Sequence, residues 1–229
     1  MSLKNTDRVL IRQAELNDID FIIEAIIEAD RSETDRISYC KIFNLSLEEL
    51  KVILRNVLLE DIEGSEFCLS NFRVALVDGK TAGACSAWIE AFDNNPSYLI
   101  KFSLLSQYLN EENIEYSKKI APLIKGLHID REKSVLQIES VYVHPNFRGL
   151  GIGGKIINEH FKQNKLTHPE LEKAQLIVTF DNRSALNAYN KIGFSVVNKF
   201  FADDDRILSI LPSNCLVLME RDLKDYSTI

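Results

Sequence analysis

The sequence predicts a mixed α/β fold, α+β in its details: one central sheet flanked by helices, with a helical insertion between the third and fourth strands. Two observations predict it. Runs rich in Val, Ile, Leu and Phe alternate with helical stretches in the order strand, two helices, two strands, two helices, strand, helix, strand, helix, two strands, and such mixing builds around one sheet. The chain has 229 residues, 45% of them hydrophobic, which suits one domain with its own core and not a disordered chain. The expectation is a single domain over 1–229, with no internal repeat and no low-complexity tract.

The elements follow in order. Val9-Leu10-Ile11 reads as a short strand. Asn17 or Asp18 caps a helix to about Ala29, with acids in its first turn, where the positive end of the helix dipole favours them. Ser46-Leu47-Glu48-Glu49 is a capping box, because Ser followed three residues later by Glu satisfies two free amides reciprocally. The helix it opens reaches about Glu60, with Leu47, Leu50, Val52, Ile53, Leu54, Val57 and Leu58 on a broad apolar side. Strands Phe72–Val77 and Ala82–Ile89 flank Asp78-Gly79-Lys80, a hairpin signal because glycine tolerates positive φ. After the turn at Asp93-Asn94-Asn95-Pro96, helices are expected over Tyr98–Leu109 and Glu111–Ile124. Segment 93–133 is too apolar for a bare linker and should pack on the core or form a lid. Val135–Val143 is a strong strand, Gly151–Gln163 a helix, Ala174–Phe180 a strand and Arg183–Ile192 a helix. Phe194–Phe200 and Cys215–Glu220 close the sheet, with Asp203-Asp204-Asp205 a solvated loop between them.

Composition excludes several classes. The net charge of −7 speaks against nucleic acid, since phosphate binding needs clustered Lys and Arg. Ile19–Ala29 is the longest apolar-leaning stretch, but it is short and holds Asp20, Glu24 and Glu28, so no membrane span is expected. Residues 1–8 lack the long apolar run of a signal peptide. Cys40, Cys68, Cys85 and Cys215 form no CxxC and have no His at metal-ligand spacing, so reduced thiols, no metal and a cytoplasmic location are expected.

Four of the nine glycines fall in Gly149-Leu150-Gly151-Ile152-Gly153-Gly154, between a strand and a helix. Such a backbone approaches an anion closely at the positive end of a helix dipole. Three readings compete. Gly149 to Lys155 matches GxxxxGK, but Ile156 replaces the hydroxyl residue that a P-loop places on Mg²⁺. Gly149, Gly151 and Gly154 match GxGxxG, with Asp181 ending the next strand, but His144–Arg148 separate the first strand from the glycines, and a dinucleotide turn is tighter. The third reading uses the whole stretch. Val141-Tyr142-Val143-His144-Pro145 followed by Arg148-x-x-Gly151-x-Gly153 resembles the GNAT acetyltransferases, whose strand ends in V-x-P before (Q/R)xxGx(G/A). Further on, Asn182-x-x-Ala185-x-x-x-Tyr189-x-Lys191-x-Gly193-Phe194 resembles that family's second signature at every marked position. Ile11-Arg12-x-Ala14 and Leu216–Leu223 resemble its first and last strands.

The resemblance covers 8–30, 70–92 and 134–223. It implies an N-acetyltransferase that moves an acetyl group from acetyl-CoA to a primary amine, small or peptide, by direct attack in a ternary complex. The cofactor core would be about 134–223, with acceptor-side insertions at 31–69 and 93–133. It implies that Arg148, Gly149, Leu150, Gly151, Ile152, Gly153 and Gly154 bind pyrophosphate, that Val141, Tyr142 and Val143 on the preceding strand together with Asn182 and Ala185 meet the pantetheine arm, and that family members are often dimers. Tyr189, one turn after Ala185, would protonate the departing sulfur. Most alkyl amines are protonated at neutral pH, so a base is needed. Glu139 is first choice, two residues before Val141 and on its face unless a bulge intervenes; Glu90 is second. His144 reads as structural. Glu60, Asp61, Glu63 and Glu66 read either as acids that draw a cation or as a solvated helix end, the second being preferred. The alternative is a catalytically inactive module of the same fold that binds acyl-CoA or a protein.

Overall fold

The computed structural model describes residues 9–224 and 226, so the reading of residues 1–8 lies outside the described residues. A seven-stranded sheet runs in the order β1-β2-β3-β4-β5-β7-β6. The strands are β1 Val9–Gln13, β2 Phe72–Val77, β3 Lys80–Ile89, β4 Leu136–Val143, β5 Lys173–Thr179, β6 Ser195–Phe201 and β7 Cys215–Asp222. Neighbours are antiparallel except β4 and β5. The helices are α1 Ile19–Arg31, α2 Ser38–Phe43, α3 Leu47–Glu60, α4 Ser97–Tyr108, α5 Glu111–Ile124, α6 Ile152–Thr167 and α7 Arg183–Lys191. None among the described residues is long and apolar enough to cross a membrane.

Two apolar cores form on opposite faces of the sheet. Ile22, Ile26, Leu54, Leu58 and Leu105 of α1, α3 and α4 cover one face together with Phe72, Val74, Ala84 and Tyr142. Ile152, Ile156 and Phe161 of α6 cover the other with Leu136, Ile138, Leu176 and Val217. The Ser46–Glu49 capping box is present, with Glu49 N donating to Ser46 Oγ at 3.2 Å and Ser46 N to Glu49 Oε2 at 2.8 Å. Val52 is a correction. It lies off the buried stripe of Leu50, Ile53, Leu54, Val57 and Leu58 and faces solvent. The six-residue α2 had no signal in the sequence. The acidic loop after β6 contains a short 3₁₀ turn, Asp205–Ser209, capped by the Asp204 side chain. In segment 93–133, α4 enters the first core through Leu104 and Leu105, whereas α5 lies on α2 and buries no residue.

Candidate active site

The site starts at one inserted residue. In β4, Tyr142 pairs with Ala84 and Glu139 with Ser86, so Ser140 and Val141 together face Cys85 alone. This is a β-bulge, and Ser140 adopts a φ of 52°, a left-handed conformation that non-glycine residues rarely hold. The extra residue shifts the alternation. Leu136, Ile138, Val141 and Val143 all point to the α6 side, whereas Tyr142 points to the α1 side. Glu139 and Val141 therefore do not share a face; the bulge intervenes.

The bulge also sets where backbone groups aim. Toward β3 the ladder uses alternate residues, with His144 N donating to Ala82 O and Glu90 N to Val135 O, each at 3.0 Å. By that alternation the amides and carbonyls of Val141 and Val143 point toward β5. Yet β5 pairs with β4 only from Leu136/Ala174 to Ile138/Leu176. Beyond that the strands separate, and the polar backbone of Val141 and Val143 faces an opening. Tyr142 belongs to neither side of it. Its backbone pairs with Ala84, its ring packs 5.7 Å from that of Phe21, and its hydroxyl donates to Glu24 at 2.7 Å. The Tyr142 side chain therefore lies on the α1 face of the strand.

At the C-terminal end of β4 the glycine loop leads into α6. Gly149 and Gly151 hold φ of 83° and 70°, and a Cβ on either would meet nothing within 4 Å. These two are glycine for backbone conformation, above open space. Gly154 differs: a Cβ there would lie 2.9 Å from Ile192 Cγ2, so it is glycine to let α6 approach α7. The first bond of α6 runs from Lys155 N to Gly151 O at 3.1 Å, leaving the amides of Ile152, Gly153 and Gly154 as helix-end donors. The Ile152 side chain is core. Leu150 is exposed. Arg148 Nε donates to Val143 O at 3.3 Å, which holds the loop against the strand end. His144 is structural as read, its Nδ1 accepting from Asn146 N at 3.3 Å.

Across the opening, Asn182 Oδ1 accepts from Ala185 N at 2.9 Å and caps α7, as its position in the sequence allowed. Its Nδ2 donates to Ser32 Oγ at 3.1 Å, and Ser32 Oγ lies 2.5 Å from Thr179 Oγ1. The residue after α1 is thus tied to the free end of β5. Ala185 and Tyr189 border the same apolar cluster as Val141 and Val143. The Tyr189 ring meets Phe194 edge-on, with centroids 6.2 Å apart. Burial pushes its phenol well above the usual range, helped by Cys85 and Glu139 nearby. Tyr189 therefore stays protonated at neutral pH.

The carboxylates fall elsewhere. Glu139 lies on the α1 face in an ion pair with Arg131. Arg131 Nη1 also donates to Gln137 Oε1 at 2.7 Å, and the guanidinium lies over the Trp88 ring, 5.0 Å from its centroid. Glu90 is buried and fully engaged, accepting from Trp88 Nε1 at 3.1 Å and from Ser97 N, at the start of α4, at 2.9 Å. These bonds hold β3 to α4. Glu66 is not part of a solvated helix end. It is buried and accepts from Lys101 Nζ at 2.6 Å. Arg131 and Lys101 were missed in the sequence because both come from segment 93–133, where no motif distinguishes a buried cation from a solvated one. Among the described residues no group of His, Cys, Asp and Glu is arranged to hold a metal.

The profile of the acetyltransferase (GNAT) family matches residues 38–194. The chain belongs to this family. No curated protein sequence matches it. Among solved structures, this GNAT acetyltransferase is similar to an N-acetyltransferase from Staphylococcus aureus, with a TM-score of 0.63 and 20% identity over 92% of this chain and 99% of the other. It is similar to a spermidine N-acetyltransferase chimera from Vibrio cholerae, with a TM-score of 0.54 and 14% identity over 97% and 99%. It also resembles an aminoglycoside acetyltransferase in complex with coenzyme A, with a TM-score of 0.50 and 14% identity over 93% and 94%. At these identities the likeness concerns the fold.

Proposed function

We propose that this acetyltransferase moves an acetyl group from acetyl-CoA to a primary amine, small or peptide, by direct attack in a ternary complex, without a metal and in the cytoplasm. The observation that carries the reading is the opening between β4 and β5. It has unpaired strand polar groups along one wall, an anion-ready helix end at its mouth and a protonated phenol on its α6 side. A pyrophosphate-bearing thioester fits this set. Helix-end amides of Ile152, Gly153 and Gly154 suit the phosphates, the amides of Val141 and Val143 suit an amide-rich arm and the acetyl carbonyl, and the gaps above Gly149 and Gly151 leave room for close approach.

Acetyl-CoA supplies an acyl group on a good leaving sulfur. The chain's residues do the rest. An aimed strand N–H stabilises the charge that grows on the carbonyl oxygen as the amine attacks. Tyr189 donates its proton to the departing sulfur. Glu139 takes the amine's proton through a water. Its position on the α1 face is suitable, because a donor held on the α6 side leaves the opposite face for the acceptor. Thermal melting with and without acetyl-CoA, followed by thiol release across an amine panel, tests the reading. Acetyl-CoA far above micromolar should raise the melting temperature by several degrees. No shift refutes acetyl-CoA binding, and a shift with no thiol release from any amine favours a binding module instead.

A further inference from the structure

Helix α6 presents a buried stripe of three residues, Ile152, Ile156 and His160, spaced one turn apart. The first two are apolar. A Cβ added at Gly83 of β3 would meet Ile152 Cγ2 at 2.9 Å and Ile156 Cδ1 at 3.2 Å, so helix and strand touch there as closely as glycine permits. The third residue breaks the apolar pattern. His160 Nε2 lies 3.0 Å from the Cys85 carbonyl oxygen, and since a carbonyl only accepts, the ring donates. Burying an imidazole strips water from two ring nitrogens, a cost that leucine at this position would not carry. What the ring adds is direction. Apolar contact holds α6 down on β3, but it is non-directional and does little to stop the helix sliding along the strand. A hydrogen bond to one carbonyl fixes the register.

The carbonyl that is gripped is the one at the bulge. Cys85 alone faces Ser140 and Val141 across the β3–β4 ladder. Its side chain belongs to the apolar cluster that Val141, Ala185 and Tyr189 border, and its thiol is among the groups that raise the Tyr189 phenol. At its other end α6 rests on the same part of β4, since a Cβ on Gly153 would lie 3.6 Å from both Val141 Cγ1 and Val143 Cγ2. Two turns, about 12 Å of helix, separate His160 from the amides of Ile152, Gly153 and Gly154 at the helix start. A slip of α6 along β3 would therefore carry those helix-end donors past the strand amides of Val141 and Val143.

We infer that His160 is a positioning residue for acetyl transfer: by holding the Cys85 carbonyl it locks α6 to the bulge, so that the helix-end amides that take the phosphates and the strand amides that take the acetyl carbonyl stand at one set separation. This rests on the acetyl-transfer reading and deepens it. His160 takes no part in the chemistry, and its proton stays on Nε2 throughout. Its effect is geometric, because misplacing a reacting group by about 1 Å costs up to roughly a hundredfold in rate.

The test measures thiol release at pH 8, well below the melting temperature of each variant, after melting has established that acetyl-CoA binds. His160→Leu should lower kcat about thirtyfold with KM for acetyl-CoA nearly unchanged. His160→Gln, whose amide can donate to the same carbonyl, should restore most of the loss. His160→Met fills the space without an N–H; it should behave like leucine and replaces it if the leucine protein does not fold. Ile157→Val, at a buried apolar neighbour on α6, lowers melting through packing alone and should keep full kcat. A second readout is the infrared carbonyl stretch of carbon-13-labelled S-acetonyl-CoA, a ketone analogue that cannot transfer its acyl carbon. Its downward shift on binding should shrink in the leucine and methionine proteins. Equal kcat in the native and leucine proteins, an equal fall in Ile157→Val, or a carbonyl shift retained in full overturns the inference and leaves acetyl transfer standing. Acetyl-CoA binding without thiol release by the native protein from any amine refutes acetyl transfer, and the carbonyl shift then decides the positioning role by itself. Absence of an acetyl-CoA melting shift overturns both readings.

Discussion

Replacing His160 by leucine separates two forces that the structure sets against each other. His160 is on α6, 3% exposed, and its Nε2 lies 3.0 Å from the Cys85 carbonyl, on the β3 residue that faces the bulge. To donate that bond and remain buried the ring must be neutral with its proton on Nε2, and burial pushes its pKa down from 6.5 to about 3. Above pH 6.5 the folded and unfolded chains bind the same proton count at this site, and leucine simply loses a buried hydrogen bond, about 1–1.5 kcal/mol. Below pH 6.5 the unfolded histidine takes up a proton that the folded one refuses. Native stability therefore falls with decreasing pH, by about 1.4 kcal/mol per unit. At pH 5 the loss reaches about 2 kcal/mol, as large as the hydrogen bond or larger. The leucine variant lacks this loss. Urea unfolding of both proteins from pH 8 to 4.5 should show the native protein more stable at neutral pH and the two curves crossing at about pH 5.5. A difference that stays constant with pH, or widens as pH falls, would refute the argument that His160 is held neutral by burial.

Other predictions follow from the same geometry. Tyr189→Phe should lower kcat roughly a hundredfold with little change in acetyl-CoA affinity, read by thiol release and by calorimetry; unchanged turnover makes the ring packing alone. Asp30 has its pKa raised from 3.8 to about 6, chiefly by burial. The folded state then holds this proton more tightly than the unfolded state, so stability at this site falls as pH rises from about 4 to 6. Asp30→Asn should gain up to about 3 kcal/mol relative to the native chain across that window, measured by urea unfolding; a pH-independent difference counts against it. Gly154→Ala should destabilise by about 1–3 kcal/mol through its clash with Ile192 and lower the melting temperature. Gly149→Ala meets no neighbour but strains a φ of 83°, and it should weaken acetyl-CoA binding more than it lowers melting.

Much of the glycine loop and of the start of α7 was legible in the sequence because both are set by backbone conformation. Glycines that free a loop, an Asn that caps a helix and a Tyr one turn after an Ala leave fixed spacings, and Gly151, Asn182, Ala185 and Tyr189 fall where those spacings placed them. The acceptor side was not legible, for a physical reason. Lys101 and Arg131 meet Glu66 and Glu139 across sequence separations of 35 and 8 residues, from helices and loops with no repeating pattern. A buried ion pair leaves no spacing rule behind it. Glu66 and Glu90 looked like surface or catalytic acids because burial is a tertiary property. One face assignment failed, Val52 on α3, and the proviso that a bulge would part Glu139 from Val141 came into force at Ser140, whose residue type does not betray a bulge.

That single extra residue links the donor and acceptor halves. In an unbroken β4, residues spaced by two share a face, so Glu139 would lie beside Val141 and face α6 with it. Proton acceptor and donor thioester would then compete for one side of the sheet. The bulge rotates the strand between them. Val141 and Val143 keep their side chains on α6 and their backbone toward the opening, while Glu139 turns to α1 beside Ser86. Pairing with β5 ends at Ile138, on the N-terminal side of the bulge, which leaves the strand polar groups beyond it unsatisfied within the sheet. A local insertion at Ser140 thereby sets Glu139 on one face of the sheet and the side chains of Val141 and Val143 on the other, just where pairing with β5 has ended.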